Sequence, residues 1–149
     1  MAGVAFHHIE TKPFPPTILT EASCVEFATF YNVEKGFAQN LEAFVQAVDI
    51  GKPDGFVGYA TGHVVEQITR PKEGAQEGEA LVLLFGWESK EKHLSFRETE
   101  LFAKHIGLLR EKHGGVEMVR FDKLLKITSN NFIVSCLFQR CDKTLRDRR

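Results

Sequence analysis

At 149 residues, 43% of them hydrophobic and 26% charged, the chain is long enough for one self-sufficient core and too short for two domains to be expected. Its 19 Lys and Arg against 20 Asp and Glu leave a formal charge of -1, which supplies no field to hold a polyanion and argues against a nucleic-acid partner. Three cysteines, Cys24, Cys136 and Cys141, cannot all pair within the chain and match no zinc spacing, so reduced thiols are expected.

In chain order, Met1 to Ile9 lacks the positive start and apolar run of a signal peptide. No segment approaches the roughly 20 apolar residues needed to span a bilayer. A cytoplasmic protein without a membrane partner is expected. His7-His8 has no Cys or acidic ligand at metal spacing, so no metal site is expected there.

Residues 1–20, with Pro13, Pro15 and Pro16, read as an irregular lead-in, because proline lacks a backbone donor and biases its predecessor to extended geometry. The domain is expected to occupy residues 21–126. Cys24, Val25, Phe27, Phe30 and Tyr31 make Ala22 to Asn32 a first strand. Phe37, Leu41, Phe44, Val45 and Val48 recur at steps of three and four and predict a helix ending near Gly51.

Gly55 to Ile68 predicts a second strand, with Gly58 and Gly62 marking a bulge or a close approach. Arg70 to Glu79 reads as a hairpin connection. Ala80 to Trp87, almost wholly apolar, reads as a central strand covered on both faces. Ser89 is a suitable N-cap for one long helix from Lys90 to His113, stopped by Gly114-Gly115. Val116, Met118, Val119 and Phe121 predict a fourth strand ending before Asp122-Lys123. Residues 127–149 form an extension in which Phe132 to Phe138 has the composition of an extra strand without a clear place.

The order strand, helix, strand, strand, helix, strand predicts an α+β, ferredoxin-like βαββαβ domain with an antiparallel four-stranded sheet. Two helices cover one sheet face, yet both residue sets of Ala80 to Trp87 are apolar. A partner is expected on the other face, most simply a second copy in a homodimer that encloses a site for an apolar small molecule.

The stretch Gly86-Trp87-Glu88-Ser89-Lys90-Glu91-Lys92-His93-Leu94-Ser95-Phe96-Arg97-Glu98-Thr99-Glu100-Leu101-Phe102 resembles the strand–helix segment of the antibiotic-biosynthesis-monooxygenase-like family of dimeric α/β barrels. An apolar strand ending in Trp-Glu-Ser, followed by a helix bearing His and later Phe, carries the likeness, which extends in layout over residues 21–121. It implies a dimeric α/β barrel with a pocket between sheet and helices. In some members it also implies oxidation of aromatic, polyketide-like molecules by O₂ with no metal or flavin cofactor. Other members cyclise polyketides or degrade haem, and a stress-related or ligand-binding barrel without catalysis shares the plan. Haem degraders combine an Asn, a Trp and a His. Trp87 fits that set and Asn32 is a candidate, whereas the spacing to His93 departs from it.

Six residues follow as candidates. His93, early in its helix, is read as a base for an acidic phenol or anthrone carbon, against the plainer reading of a solvent-facing helical histidine. His63 is a second base or an orienter if its face is the inner one. Glu26, among Val25, Phe27 and Phe30, would have a raised pKa if buried and would act as a base. Trp87, Tyr59 and Phe85 are read as pocket walls, Trp87 offering a flat stacking surface with one N–H donor. Core packing is the competing explanation for each aromatic.

Overall fold

In the computed structural model, residues 6–128 and 131–140 are described, with side chains described from Phe6 to Asp122. The elements run in order as β1 (Ile9–Lys12), α1 (Ile18–Glu21), β2 (Cys24–Tyr31), α2 (Phe37–Gly51), β3 (Phe56–Val64), β4 (Ile68–Thr69), β5 (Glu77–Gly78), β6 (Ala80–Trp87), α3 (Lys90–Phe96), α4 (Glu100–His105), a 3-10 turn (Ile106–Leu109), β7 (Gly115–Thr128) and β8 (Asn131–Arg140). Strands β3-β6-β2-β7 lie side by side and pair antiparallel throughout, which is the ferredoxin-like order. The fold is therefore the expected α+β, ferredoxin-like one. Its sheet is six-stranded, because β1 adds to the β3 edge and β8 to the β7 edge.

Those two additions correct the reading of the chain ends. Residues 1–20 are not wholly an irregular lead-in: Ile9 to Lys12 pair with Val64 to Thr61, and Ile18 and Ala22 bury themselves over Val25, Ala60 and Leu84. Gly62 makes this docking possible, since a Cβ there would stand 2.7 Å from Ile9 Cγ2 and 2.8 Å from Val82 Cγ2. The fourth strand does not stop before Asp122 but continues to Thr128, and the apolar run from Phe132 lies within β8. Residues 1–5, 129–130 and 141–149, including Cys141 and the basic chain end, lie outside the described residues.

The principal core fills the space between α2, the α3–α4 segment and one sheet face. Phe37, Leu41, Phe44, Val45 and Val48, the expected stripe of α2, pack on Phe30, Leu83, Phe85 and Trp87. Each large side chain removed from water there contributes on the order of 1.5–3 kcal/mol. The expected single helix from Lys90 to His113 is broken. Thr99 caps a new helix, its Oγ1 accepting from Phe102 N and donating to the Phe96 carbonyl, so the chain bends between Phe96 and Glu100.

The expectation of a wholly open second sheet face is also corrected. The α1 segment, through Ile18 and Ala22, covers Val25, Ala60 and Leu84 on it, and Phe27 and Phe121, edge to face at 6.4 Å, remain half-buried on the β2–β7 part.

Candidate active site at the Glu26–His93 pair

Alternation along β2 sends Cys24, Glu26, Ala28 and Phe30 to the helix side of the sheet, where Cys24, Ala28 and Phe30 join the core. Glu26 stands in register with Phe85 on β6 and with Arg120 on β7. Above it, Ser89 caps α3 by accepting from Lys92 N at 3.3 Å, which fixes the first helical turn and the direction of His93. His93 Nε2 then lies 2.7 Å from Glu26 Oε2, with 4% of the His side chain and 15% of the Glu side chain exposed. The imidazole lies against the Trp87 indole, ring centres 5.5 Å apart and planes 23° from parallel.

The electrostatics correct the expectation for Glu26. Burial by itself pushes its carboxyl up, but the His93 contact and the charges of Arg97 and Arg120 outweigh it and hold the group below the usual carboxylate range. Glu26 is thus an anion at neutral pH. A carboxylate only accepts, so the hydrogen between the two groups belongs to His93 Nε2. In a neutral ring that leaves the lone pair on Nδ1, an atom buried without a hydrogen-bond partner among the described residues. His93 is accordingly a buried histidine held in one tautomer by a carboxylate, and the solvent-facing reading does not hold.

Glu26 and His93 line a cavity of about 30 Å³ whose other walls include Phe30, Phe85, Phe102 and Arg97. That volume accommodates a water or two, and its walls are mainly apolar, phenylalanines among them. Arg97 was missed in the sequence. The signal was present as the interval His93-x-x-x-Arg97, which places both side chains on one helical face.

The remaining candidates separate. Phe85 lines the cavity. Trp87 is fully buried and packs against Phe56, Phe85, His93 and Phe96, so it supports the histidine from behind instead of forming the cavity wall. Tyr59 is half-buried and meets Phe85 edge to face at 6.5 Å, while burial and the charges of Glu42 and Asp49 push its phenol up. His63 is exposed and does not join His93. It lines a separate groove of about 500 Å³ with Glu10, Lys12, Leu41, Glu42 and Thr61, between the β1–β3 edge and α2. Asn32 is also elsewhere, following β2, where its amide donates to the Gln76 carbonyl. Among the described residues no group of three or more His, Cys, Asp or Glu could hold a metal ion, and no helix is long and apolar enough to cross a membrane.

No family model and no curated protein matches the chain. Solved structures do. SnoaB, a cofactor-independent oxygenase from Streptomyces nogalater crystallised as a point mutant, is 18% identical, with a TM-score of 0.47, over 74% of this chain and 100% of its own. A Bacillus cereus protein described provisionally as an antibiotic biosynthesis monooxygenase is 19% identical over 71% of this chain and 97% of its own, at a TM-score of 0.42. A dimeric protein of unknown function and ferredoxin-like fold from Bacteroides fragilis is 9% identical over 68% and 98%, at a TM-score of 0.45. The chain is similar to these in the course of its backbone, and the reading of its site rests on its own geometry.

Proposed function

We propose that the chain is a cofactor-independent oxygenase of the antibiotic-biosynthesis-monooxygenase kind, acting on an aromatic, polyketide-like molecule with an acidic C–H or phenol. The observation that carries this reading is the buried Glu26–His93 pair on the wall of an aromatic cavity. Glu26 fixes the imidazole, and His93 Nδ1 is the atom left to take a proton. Removing a proton from a methylene flanked by aromatic rings leaves a carbanion that O₂ can oxidise. One oxygen atom then ends as a carbonyl on that carbon and the other leaves as water.

The test is O₂ uptake with an anthrone. One O₂ consumed per quinone formed, lost in His93→Gln, supports the reading. No uptake and no exchange of the methylene protons with solvent defeats it.

The small volume of the cavity favours a second reading, a non-catalytic barrel that holds a small ligand when its aromatic walls part. It predicts retention of an unaltered molecule and no turnover. Both readings include a homodimer. The half-buried Phe27–Phe121 patch on the far sheet face supports that assembly, and sedimentation as a monomer at micromolar concentration counts against it. Free, buried Cys24 is consistent with the reducing cytoplasm.

A further inference from the structure

The cavity beside His93 is apolar and electrically balanced. Of the thirteen described residues that line it, ten are apolar, and the other three are Glu26, His93 and Arg97. Glu26 contacts His93 at 2.7 Å and lies in the field of Arg97, while the neighbouring Arg120 has Asp122 beside it, Nε to Oδ2 3.6 Å. No net charge remains to draw an ion into the space. Its volume of about 30 Å³ is far below that of a ring system and suits a molecule of two heavy atoms. Water there needs two to four polar partners, which ten apolar walls do not supply over most of the surface. Dry apolar cavities take up apolar guests such as xenon.

We infer that this cavity is the seat of molecular oxygen, an apolar diatomic gas, on the wall that His93 shares. The inference rests on the proposed function and gives its second substrate a place; the aromatic molecule is too large for this space and needs one beside it. Once a C–H bond of that molecule breaks and its proton passes to His93, the electrons left on carbon pass to O₂. A C–O bond forms, the resulting peroxide takes up a proton, and loss of water from it leaves the carbonyl. Holding a dilute gas next to the carbon that must capture it replaces a chance encounter with a positioned one. Ala28 is the narrow point of control. It is buried on β2 between Leu83 on β6 and Met118 on β7, in register with both, and carries the smallest side chain on the wall.

Dissolved O₂ is itself the probe, because it is paramagnetic and speeds the relaxation of nearby methyl protons. The whole methyl-labelled chain is compared under nitrogen and under O₂ as wild type, as Ala28→Val, which puts two more carbons into the seat, and as Ile106→Val, which removes one. In wild type the methyls of Ala28, Leu83, Ile106 and Leu109 should relax severalfold faster than those of Val45 and Val48, which are fully buried away from the cavity. Ala28→Val should abolish that excess at Leu83 and Ile106. It should also raise the KM for O₂ in anthrone turnover about tenfold with little change in kcat, the pattern of a lost binding interaction. Ile106→Val should enlarge the excess at Leu83, and it keeps the test decisive if Ala28→Val does not fold. Equal relaxation of cavity and core methyls in wild type would overturn the gas seat, while O₂ uptake, measured separately, would keep the proposed function. An excess in wild type with an unchanged KM for O₂ in folded Ala28→Val would mark a packing void and overturn the inference as well. Excess relaxation with no O₂ uptake from anthrone would defeat the proposed function and this inference with it.

Discussion

His93 Nε2 meets Glu26 Oε2 at 2.7 Å, and this contact ties the first turn of α3 to the middle of β2. Because the contact outweighs burial, the Glu26 carboxyl is more acidic in the folded chain than its ordinary value of 4.5. The unfolded chain then binds the proton more readily. The stabilisation is fully present above that value and is lost as pH falls through the folded one. Glu66, held at about 2 by exposed His8, acts in the same direction, so a comparison is needed. Urea midpoints between about pH 6 and pH 3 should fall more steeply for wild type than for Glu26→Gln. Parallel curves would show that the pair does not couple folding to protonation.

Removing the other partner has a different consequence. His93→Phe keeps an aromatic ring near Trp87 but strands a carboxylate that is 15% exposed. Breaking a buried pair from one side costs about 3–5 kcal/mol. Part of that loss should return in the double variant Glu26→Gln/His93→Phe, which carries no charge to strand. A chemical-denaturation cycle measures this, and strictly additive losses would rule out the coupling.

The two histidines separate the fold's catalytic reading from its surface. His93→Gln should slow exchange of anthrone methylene protons by about 10²–10⁴-fold, the range over which a positioned base acts. His63→Ala should leave the rate within about twofold of wild type, because His63 lines the other groove. Proton exchange followed by NMR reads the step before O₂ enters. Comparable losses in the two variants would place the chemistry elsewhere.

How far the sequence carried the structure depended on whether a signal was local. The α2 stripe and the Ala80 to Trp87 strand were legible because period and apolar content agree with the final environment. The helix break was not, since a run without proline hides an internal cap; Thr99 followed by Glu100 was its only trace. β1 was missed because proline-rich composition outweighed a four-residue strand whose stability comes from pairing with β3, a contact far away in sequence. Glu26 and His93 were each legible as chemistry-bearing residues. Their contact was not, as it depends on a strand and a helix 67 positions apart meeting in space. The direction of the Glu26 shift follows from that contact, which explains why burial alone gave the wrong sign.

Cys24 tests the same sheet face chemically. It is 1% exposed, and burial together with its Asp122 partner pushes the thiol up to about 12. At pH 8 only about one thiol in 10⁴ would be ionised, and thiolate is the reacting form. In a Cys136→Ser/Cys141→Ser background, an aromatic disulfide reagent should leave the folded chain unlabelled over hours. The same reagent should label one site per chain in urea. Prompt labelling of the folded chain would show that β2 opens at Cys24.

Gly62 decides whether β1 belongs to the domain. A methyl group at that position would meet Ile9 Cγ2 at 2.7 Å and Val82 Cγ2 at 2.8 Å, with the Glu10 carbonyl at 3.1 Å. Val82 is fixed in the central strand, so β1 is the element that must yield. Gly62→Ala should therefore cost about 1–3 kcal/mol, the usual range for overpacking a tight contact. It should also raise amide exchange in Ile9 to Lys12 and at their partners Thr61 to Val64, leaving β2 and β7 protected. Deleting residues 1–12 in the Gly62→Ala background then separates two causes. If β1 is the clashing neighbour, the alanine adds little further loss once the strand is gone; a full penalty in the truncated chain would move the cause to Val82 and the sheet interior.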